Sequence, residues 1–435
     1  MTPAPGDWIA RQAAISAERM ARAISATGLV FHRPGFGQSV RPARGSILAS
    51  PETELDDGPD YFFHWLRDAA AVMEAMRLLA AGADGAAWTA RFEDCVGFSL
   101  ALGRLRGADR LAAGDIRARV QPDFLKFVRR DAEIASIEGE RVLGDVRYGA
   151  DGTIDIVKWS RPQHDGAAYE ALVAIRFWDD ARSSSAAARA ELGALIRRDL
   201  DYTLHHAAEP SYDIWEEELG EHYYVRLAQV AALEAGAAWC AAEGDAARAA
   251  ACRDAAARLL RALDAFWSDT LGFYRSRIAA PDSPKALDMS VILAVLHAGR
   301  AHGPHSVSDP RVAATLNRLK AHFAARYPLN RERGLPFALG RFPGDVYFDG
   351  GAWFLCSFAA AEYEYRLAAL RRDAAIVARG DAILDAVRTL IPASGELSEQ
   401  FHPATGAPLS ARNLTWSYAA FITAAQARAA ALRAG

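Results

Sequence analysis

Apolar positions recur three and four residues apart along most of the chain, which is the spacing of one buried face of an α-helix. The run Leu259, Leu263 and Phe266 is one example. The pattern predicts about a dozen helices. We place them over residues 7–26, 66–82, 86–106, 165–179, 187–207, 221–243, 245–268, 286–299, 309–326, 350–370, 372–391 and 413–432.

The connections between these helices are alternately short and long, which is typical of helical hairpins and predicts an all-α chain. A dozen helices would also suit a closed double ring of six hairpins, although no fixed-period repeat accompanies them. The longest break, residues 107–164, contains strand-like runs at 141–148 and 153–158 around the turn signal Ala150-Asp151-Gly152. We expect a β-hairpin in this loop.

Composition and charge narrow the class of protein. The 435 residues carry a formal net charge of -4 with both signs interspersed, which argues against nucleic acid as a partner. No uninterrupted apolar run of about eighteen residues appears, and the first residues lack a signal-peptide pattern. We therefore expect a soluble, cytoplasmic monomer, or a periplasmic or secreted one if a leader was removed. No segment has linker composition, so residues 1–435 are predicted to be one domain of the size of a catalytic domain.

Cysteine and metal-ligand patterns are uninformative about chemistry. The four cysteines, Cys95, Cys240, Cys252 and Cys356, are scattered through apolar segments without a C-x-x-C pair. This spacing predicts buried free thiols. No cluster of histidine, cysteine or carboxylate residues at ligand spacing calls for a metal, and no cofactor motif is present.

The segment SYDIWEEELG, Ser211–Gly220, places three glutamates directly after Trp215. On an exposed helix start these charges would only complement the helix dipole. The alternative is that one carboxyl is partly desolvated against Trp215 and near other carboxylates, so that it can deliver a proton at neutral pH. A second carboxylate is needed to decide between the two interpretations.

Two candidates for that second carboxylate, Glu396 and Glu399, precede a Pro- and Gly-containing turn and an aromatic helix. Either of them could instead cap a helix start. Paired with Glu216, however, such a glutamate suits a cleft in which one carboxyl protonates a leaving oxygen and the other activates water. Aromatic residues beside both segments would offer flat faces to sugar rings.

Two further segments combine charges with aromatic side chains. YFFHWLRDAA sets Arg67 and Asp68 at a predicted helix start after Tyr61 and Trp65, although the two charges could form an ordinary surface ion pair. GRFPGDVYFDGGAWF places charges in a Gly- and Pro-rich loop, where functional side chains concentrate. The residues concerned there are Arg341, Asp345, Tyr347 and Asp349.

Five segments, in this order, resemble the glucoamylase family of inverting glycoside hydrolases, in particular its fungal-type catalytic domain. They are YFFHWLRD, KWSRPQHDG, SYDIWEEELG, GRFPGDVYFDGGAWFLCS and LSEQFHPATGAPLSARNLTWSYAAF. The resemblance extends from about Tyr61 onward. It implies an (α/α)6 barrel whose active site lies in the loops at one end and which releases β-glucose from the non-reducing ends of starch-like chains.

The resemblance also assigns roles to residues. It implies that Glu216 is the general acid and Glu399 the base that activates water. Polar residues would hold the sugar hydroxyls, and aromatic residues would form the walls. The implied substrate-binding residues are Tyr61, Trp65, Arg67, Asp68, Trp159, Asp213, Trp215, Glu217, Arg341 and Trp416.

Several positions depart from the family pattern, namely Glu218-Leu219-Gly220, Gly344 and Asp349. They concern the outer part of the predicted site more than the catalytic pair. No starch-binding module is recognised, which favours maltooligosaccharides or soluble α-glucans as substrates. Alternatives are an α-1,6-glucosidase or trehalase with the same two glutamates, a sugar-binding toroid without turnover, and a helical-barrel lyase.

Overall fold

Helices dominate the computed structural model, which describes residues 5–55, 58–278 and 283–435. The described residues form fifteen α-helices, of which three have only five or six residues. The helices are α1 (Pro5–Ala23), α2 (Leu66–Leu79), α3 (Gly85–Leu102), α4 (Gly107–Ala112), α5 (Asp131–Ala135), α6 (Gly166–Asp179), α7 (Ala186–His205), α8 (Tyr223–Ala242), α9 (Ala246–Leu263), α10 (Ser290–Ala298), α11 (Pro310–Arg326), α12 (Pro328–Arg333), α13 (Phe354–Arg371), α14 (Ala374–Arg388) and α15 (Thr415–Ala434).

The twelve long helices form two concentric rings. Six of them make the inner ring, in which each contacts the next and the last contacts the first, in the order α2, α6, α8, α10, α13 and α15. The outer helix on which each inner helix packs most extensively is α3, α7, α9, α11, α14 and α1, respectively. The predicted (α/α)6 barrel is therefore confirmed, and its closing pair consists of the first described helix, α1, and the last, α15.

Burial explains which helices lie inside. The inner helix α13 is buried on all sides along most of its length, including residues such as Ser357 and Glu362. The outer helix α11 buries one face, at Val312, Leu316 and Leu319, and leaves the opposite face in solvent. A helix that is apolar or small all round needs neighbours on every side, whereas an amphipathic helix suits the outer layer.

The two rings also differ at their helix starts. Four outer helices begin with a side-chain cap, in which Ser185, Asp245, Asp309 or Asp373 accepts a hydrogen bond from a backbone N–H. The described N-cap residues of the six inner helices make no such bond. Capping side chains satisfy the free N–H groups of a first turn. The inner helix starts instead adjoin the loops described below.

Short strands fasten these loops to one another. The described strands are β1 (Phe31–Arg33), β2 (Gln38–Val40), β3 (Phe63–Trp65), β4 (Arg147–Gly149), β5 (Ser211–Tyr212), β6 (Leu219–Gly220), β7 (Trp267–Ser268), β8 (Phe273–Tyr274), β9 (Ala352–Trp353), β10 (Gln400–Phe401) and β11 (Pro408–Leu409). They pair antiparallel as β1–β2, β3–β4, β5–β6, β7–β8 and β9–β10–β11. The β3–β4 and β9–β10 pairs each join two distant parts of the chain.

The predicted hairpin in residues 141–158 is wrong. Residues Gly139–Asp145 form a 3-10 helix, and strand β4 pairs with β3 from the start of the first inner helix instead of with 153–158. Only an isolated bridge links Tyr148 to Ile154. A local pattern of strand-forming residues indicates a strand but not its partner. Here the partner is β3, which is distant in sequence.

Two other expectations concern cysteine and membranes. Cys95, Cys240, Cys252 and Cys356 are all free and buried, which confirms the prediction. Within residues 5–55, 58–278 and 283–435, no helix is both long and apolar enough to cross a bilayer.

Candidate active site

A cavity of about 810 Å³ opens at the end of the barrel where the inner helices begin. Its walls come from the loops that lead into those helices. Arg67 and Asp68 lie in the first turn of α2, Trp416 lies in the first turn of α15, and Glu216 and Glu217 lie in the loop before α8. Residues far apart in sequence therefore meet because each immediately precedes or opens an inner helix.

The loop that carries Glu216 is shaped by Asp213. The carboxylate of Asp213 accepts hydrogen bonds from the backbone N–H groups of Trp215 at 2.7 Å and Glu218 at 2.9 Å. Glu216 between them has a φ of 65°, a left-handed conformation that is unfavourable for a residue with a side chain. Such strain persists only where the surroundings enforce it. Asp213 thus fixes the direction of the Glu216 side chain.

Four N–H groups face the Glu216 carboxylate. Its Oε1 atom accepts hydrogen bonds from the indole of Trp65 at 3.0 Å, from Arg67 at 3.1 Å and from the amide of Gln163 at 3.0 Å. Its Oε2 atom accepts one from the indole of Trp159. The carboxyl is therefore held in one orientation at the cavity wall, with donors on both oxygens.

Arg67 and Asp68 form a buried charged group next to Glu216. Besides Glu216, Arg67 donates to Gln163 at 2.7 Å and to Asp165 at 3.3 Å. Burial raises the pKa of Asp68 to about 7, and the nearby Arg67 only partly opposes this effect. Near neutral pH, Asp68 can therefore offer either a hydroxyl donor or a carboxylate acceptor to a sugar.

The second glutamate of the run, Glu217, belongs to a different group of charges. Arg341 pairs with Glu217 at 2.8 Å and, through two hydrogen bonds of 2.8 and 2.6 Å, with Asp345. Lys285 pairs with both Glu217 and Glu218. Glu217 and Glu218 therefore share Lys285, whereas Glu216 has its own partners. Of the three consecutive glutamates, Glu216 and Glu217 line the cavity.

Glu399 lies on another wall of the same cavity, directly before β10. Its side chain accepts a hydrogen bond from the hydroxyl of Ser410. Burial raises the pKa of Glu399 to about 7, while Ser410, Arg341 and Tyr61 oppose the increase. The other candidate, Glu396, does not line the cavity and pairs with Arg412 at 3.1 Å.

Aromatic side chains form the remaining walls. Trp159 is 41% exposed, and the guanidinium of Arg147 lies 3.7 Å from the centre of its ring. Trp215 is buried, and its indole N–H is 3.0 Å from both carboxylate oxygens of Asp288. The indoles that contact the Glu216 carboxylate are thus those of Trp65 and Trp159, whereas the sequence interpretation had placed Trp215 there.

The structure gathers most of the predicted site residues. The cavity is lined by Tyr61, Trp65, Arg67, Asp68, Trp159, Trp215, Glu216, Glu217, Arg341, Glu399 and Trp416. Asp213 differs: it is 2% exposed, lies behind the wall and binds the backbone of its own loop. Its buried position corrects the assignment to substrate binding, because its carboxylate is occupied by N–H groups of the chain.

Sequence reasoning missed the residues that position the lining side chains. Gln163 and Asp165 hold Arg67, and Ser410 holds Glu399. Arg147 packs on Trp159. Gln163 and Asp165 belong to the quoted segment KWSRPQHDG, so the motif itself was the available signal. Ser410 likewise belongs to the quoted segment LSEQFHPATGAPLSARNLTWSYAAF. Arg147 carries no comparable signal, because it acts through a contact across the fold.

Comparison with known proteins agrees with this arrangement. The chain matches the profile of the glycosyl hydrolases family 15 over residues 36–376 and 371–426. It is 26% identical to the probable glucoamylase of Schizosaccharomyces pombe over 98% of this chain and 92% of that protein. It is 27% identical to the glucoamylase of Blastobotrys adeninivorans, over 89% and 67% of the two chains.

A solved structure gives the same result for the fold. The glucoamylase of Hormoconis resinae superimposes with a TM-score of 0.80 at 26% identity, covering 98% of this chain and 74% of that one. The profile match spans most of the sequence, and the superposition spans both rings of helices. The chain therefore belongs to family 15 of the glycosyl hydrolases, and it is a glycoside hydrolase.

Proposed function

We propose that this glycoside hydrolase is an exo-acting glucoamylase that releases β-glucose from the non-reducing ends of maltooligosaccharides or soluble α-glucans. One observation carries the proposal: Glu216 and Glu399, from loops far apart in sequence, line one aromatic-walled cavity in a family 15 barrel. Its relatives bear the name glucoamylase. The substrate class, an oligosaccharide or glucan, follows from the family.

The proposed reaction uses the two glutamates in different ways. Glu216 protonates the glycosidic oxygen as the bond to the anomeric carbon breaks, and Glu399 removes a proton from the water that attacks the opposite face of the sugar. The net reaction adds one water across the bond, and the proton returns through solvent. Arg67 and Gln163 keep Glu216 directed at the cavity.

Substrate binding is assigned to the side chains around the pair. Arg67, Asp68, Glu217 and Arg341 offer charged donors and acceptors for the hydroxyl groups of the terminal sugar. Aromatic faces cover the apolar side of the rings, as is common in such clefts. The aromatic residues proposed for this purpose are Tyr61, Trp65, Trp159, Trp215 and Trp416. We also retain the prediction of one catalytic domain over residues 1–435.

Glucose release from a panel of α-linked sugars tests the substrate. Purified protein is incubated separately with maltose, maltotetraose, isomaltose and trehalose, and glucose is measured over time. We expect the maltose series to be hydrolysed fastest. A preference for isomaltose or trehalose would show that the enzyme cleaves a linkage other than the one proposed. Absence of turnover on every sugar would contradict catalysis. A Glu216→Gln preparation, purified in the same way, excludes a contaminating hydrolase.

The anomer of the first product tests the mechanism. In an inverting hydrolase the two carboxyls are separated by about 6.5–9.5 Å so that water fits between the base and the sugar. Inversion of an α-linked substrate gives β-glucose. Proton NMR can follow the anomeric signals before mutarotation, and the β signal should rise first. Initial accumulation of α-glucose would remove the general-base role from Glu399.

A further inference from the structure

Two histidines and a glutamate meet on the outer side of the loop that carries Glu216. His164 lies just before α6, and His206 and Glu209 follow α7. Oε2 of Glu209 is 2.8 Å from Nδ1 of His206 and 3.8 Å from Nε2 of His164. One ligand atom from each of the three residues lies within 4.8 Å of the others.

The two imidazoles have unused buried nitrogens. His164 is 2% exposed, and its Nδ1 atom is 2.7 Å from the hydroxyl of Tyr202. The Nε2 atoms of His164 and His206 have no hydrogen-bond partner among the described residues. Buried polar atoms are normally paired, so the unpaired Nε2 of His164, 3.8 Å from the carboxylate of Glu209, needs an explanation. A bound cation would supply the missing partner.

We propose that His164, His206 and Glu209 form a binding site for a divalent transition-metal ion, with Zn²⁺ as the best fit. Two imidazole nitrogens and one carboxylate oxygen are a common ligand set for zinc, whereas Ca²⁺ and Mg²⁺ prefer oxygen ligands throughout. The contact between Tyr202 and Nδ1 of His164 resembles the outer contacts that orient a metal-binding imidazole and leave its other nitrogen free. A solvent molecule completes the coordination.

Binding requires a modest movement of two side chains. The rings of His164 and His206 are parallel, with centres 4.9 Å apart and an interplanar angle of 7°. Nδ1 of His206 already faces Glu209, so one ion can reach all three residues only when the side chains of His206 and Glu209 shift toward Nε2 of His164. The side chains of His206 and Glu209 are 22% and 53% exposed, so both have room to move, while His164 stays fixed.

The position of the cluster links it to the cavity. His164 stands between Gln163, which donates to Glu216, and Asp165, which pairs with Arg67. Glu209 precedes β5, where the hydroxyl of Ser211 accepts a hydrogen bond from the backbone N–H of His164 at 3.0 Å. An ion at this cluster therefore ties together the two segments that orient Glu216, and none of its three ligands lines the cavity.

Metal binding can be measured without any activity assay. The chain is stripped with a chelator and titrated with Zn²⁺ by calorimetry and by competition with a chelating dye. We expect one Zn²⁺ per chain with an affinity that falls at least tenfold in His206→Ala and in Glu209→Gln. At about a hundredfold excess over the dissociation constant, Zn²⁺ should raise the Tm of the unsubstituted chain by about 3 °C.

His205→Ala is the matched control. His205 is the preceding residue, lies near Glu140 at 2.7 Å and has a side chain that is 62% exposed. Its replacement should leave Zn²⁺ affinity within twofold. Circular dichroism of each variant without metal checks that folding is retained. Bound Co²⁺ provides a second readout, because its absorption spectrum reports coordination by nitrogen and oxygen ligands.

The outcomes separate the site from adventitious binding. Affinity that survives both His206→Ala and Glu209→Gln, or that falls equally in His205→Ala, would overturn the proposal. Failure of the unsubstituted chain to bind Zn²⁺ stoichiometrically would also overturn it. Tyr202→Phe, which removes only the outer hydroxyl, should weaken binding by about tenfold if that hydroxyl orients His164.

Discussion

The two proposed catalytic glutamates stand in contrasting surroundings on different walls of one cavity. The backbone of Glu216 is in the strained left-handed conformation, and its carboxylate faces four N–H donors, including the buried Arg67. Glu399 lies directly before β10, is 3% exposed and accepts a hydrogen bond from Ser410. Burial outweighs that donor and raises the pKa of Glu399 to about 7.

The family motif indicates the role of each glutamate, whereas the local electrostatics indicate where a proton is bound before substrate enters, and the two need not agree. N–H donors stabilise a negative carboxylate, and burial stabilises a protonated carboxyl. In the absence of substrate, the surroundings therefore favour a proton on Glu399, the proposed base. The assignment of Glu216 as the acid rests on its place in the family motif. The following experiments test this contrast.

The largest expected effect comes from removing each carboxyl in turn. Glu216→Gln should lower kcat on maltose by about 10³- to 10⁴-fold, because an amide cannot protonate the leaving oxygen. The same variant should hydrolyse α-glucosyl fluoride within about tenfold of the unsubstituted rate, since fluoride leaves without a proton. Glu399→Gln should lose activity on both substrates. Steady-state kinetics on the two substrates measure the difference.

Glu396→Gln is the control for this pair. Glu396 is close to Glu399 in sequence but lies outside the cavity lining and pairs with Arg412. Its replacement should change kcat by less than twofold. If Glu399→Gln, rather than Glu216→Gln, is restored by the fluoride substrate, the acid and base roles are reversed.

The second effect is on stability. The folded pKa of Glu399 is about 7, above its ordinary value of 4.5, so the native state binds the proton more tightly than the unfolded chain. The free energy of unfolding is therefore lowered as pH rises from about 4.5 to 7, and the penalty is complete above that range. Glu399→Gln should raise the free energy of unfolding at pH 8 by about 3 kcal/mol.

Urea unfolding at pH 8 and pH 4.5 measures this gain, which should nearly vanish at the lower pH. Glu396→Gln again serves as the control, because its carboxyl is paired near the surface. A loss of stability at pH 8 in Glu399→Gln would show that the burial of Glu399 is compensated by contacts that glutamine cannot make.

The third effect is the acid limb of the pH profile. Glu399 must be ionised to act as the base, so kcat/KM should fall about tenfold for each pH unit below 7. Ser410→Ala removes a donor that lowers this pKa, and it should move the limb to higher pH. Ser394→Ala, at an exposed serine, should leave the limb in place. If Ser410→Ala leaves the acid limb in place, the limb reports the titration of a group other than Glu399.

The smallest effect concerns Trp159, whose indole faces both the solvent and Glu216. Trp159→Ala should weaken substrate binding by about 1–3 kcal/mol, visible in KM, through loss of an apolar face. Because Trp159 is 41% exposed, the Tm of the variant should differ little from that of the unsubstituted protein. Trp159→Phe keeps a flat ring and loses the N–H donor, so it separates the two contributions. A large drop in Tm with unchanged KM would make Trp159 a packing residue.

Much of the fold could be predicted from the sequence because helical periodicity is local. The twelve long helices lie near their predicted ranges, since each buries a face that the chain repeats every three or four residues. The hairpin at 141–158 could not be predicted correctly, because the partner of β4 is β3, far away in sequence. Which helices lie inside also depends on contacts that no single helix reveals.

The site was predictable where a motif carries it. Glu216, Glu399 and the aromatic residues were found because the family segments contain them, and the structure brings them into one cavity. Asp213 lies in the same motif but serves the backbone, a distinction that residue type alone cannot make. The cluster of His164, His206 and Glu209 was missed because His164 lies far in sequence from the other two.

The closure of the barrel by α1 and α15 has a consequence for how the chain reaches its native state. Trp8 of α1 packs against Phe421 of α15, with ring centres 5.7 Å apart, and donates to Asp385 of α14 at 3.1 Å. During synthesis, α1 emerges early but must wait for nearly the whole chain before its apolar face is covered. Contacts of such large sequence separation slow folding and leave that face exposed to aggregation meanwhile.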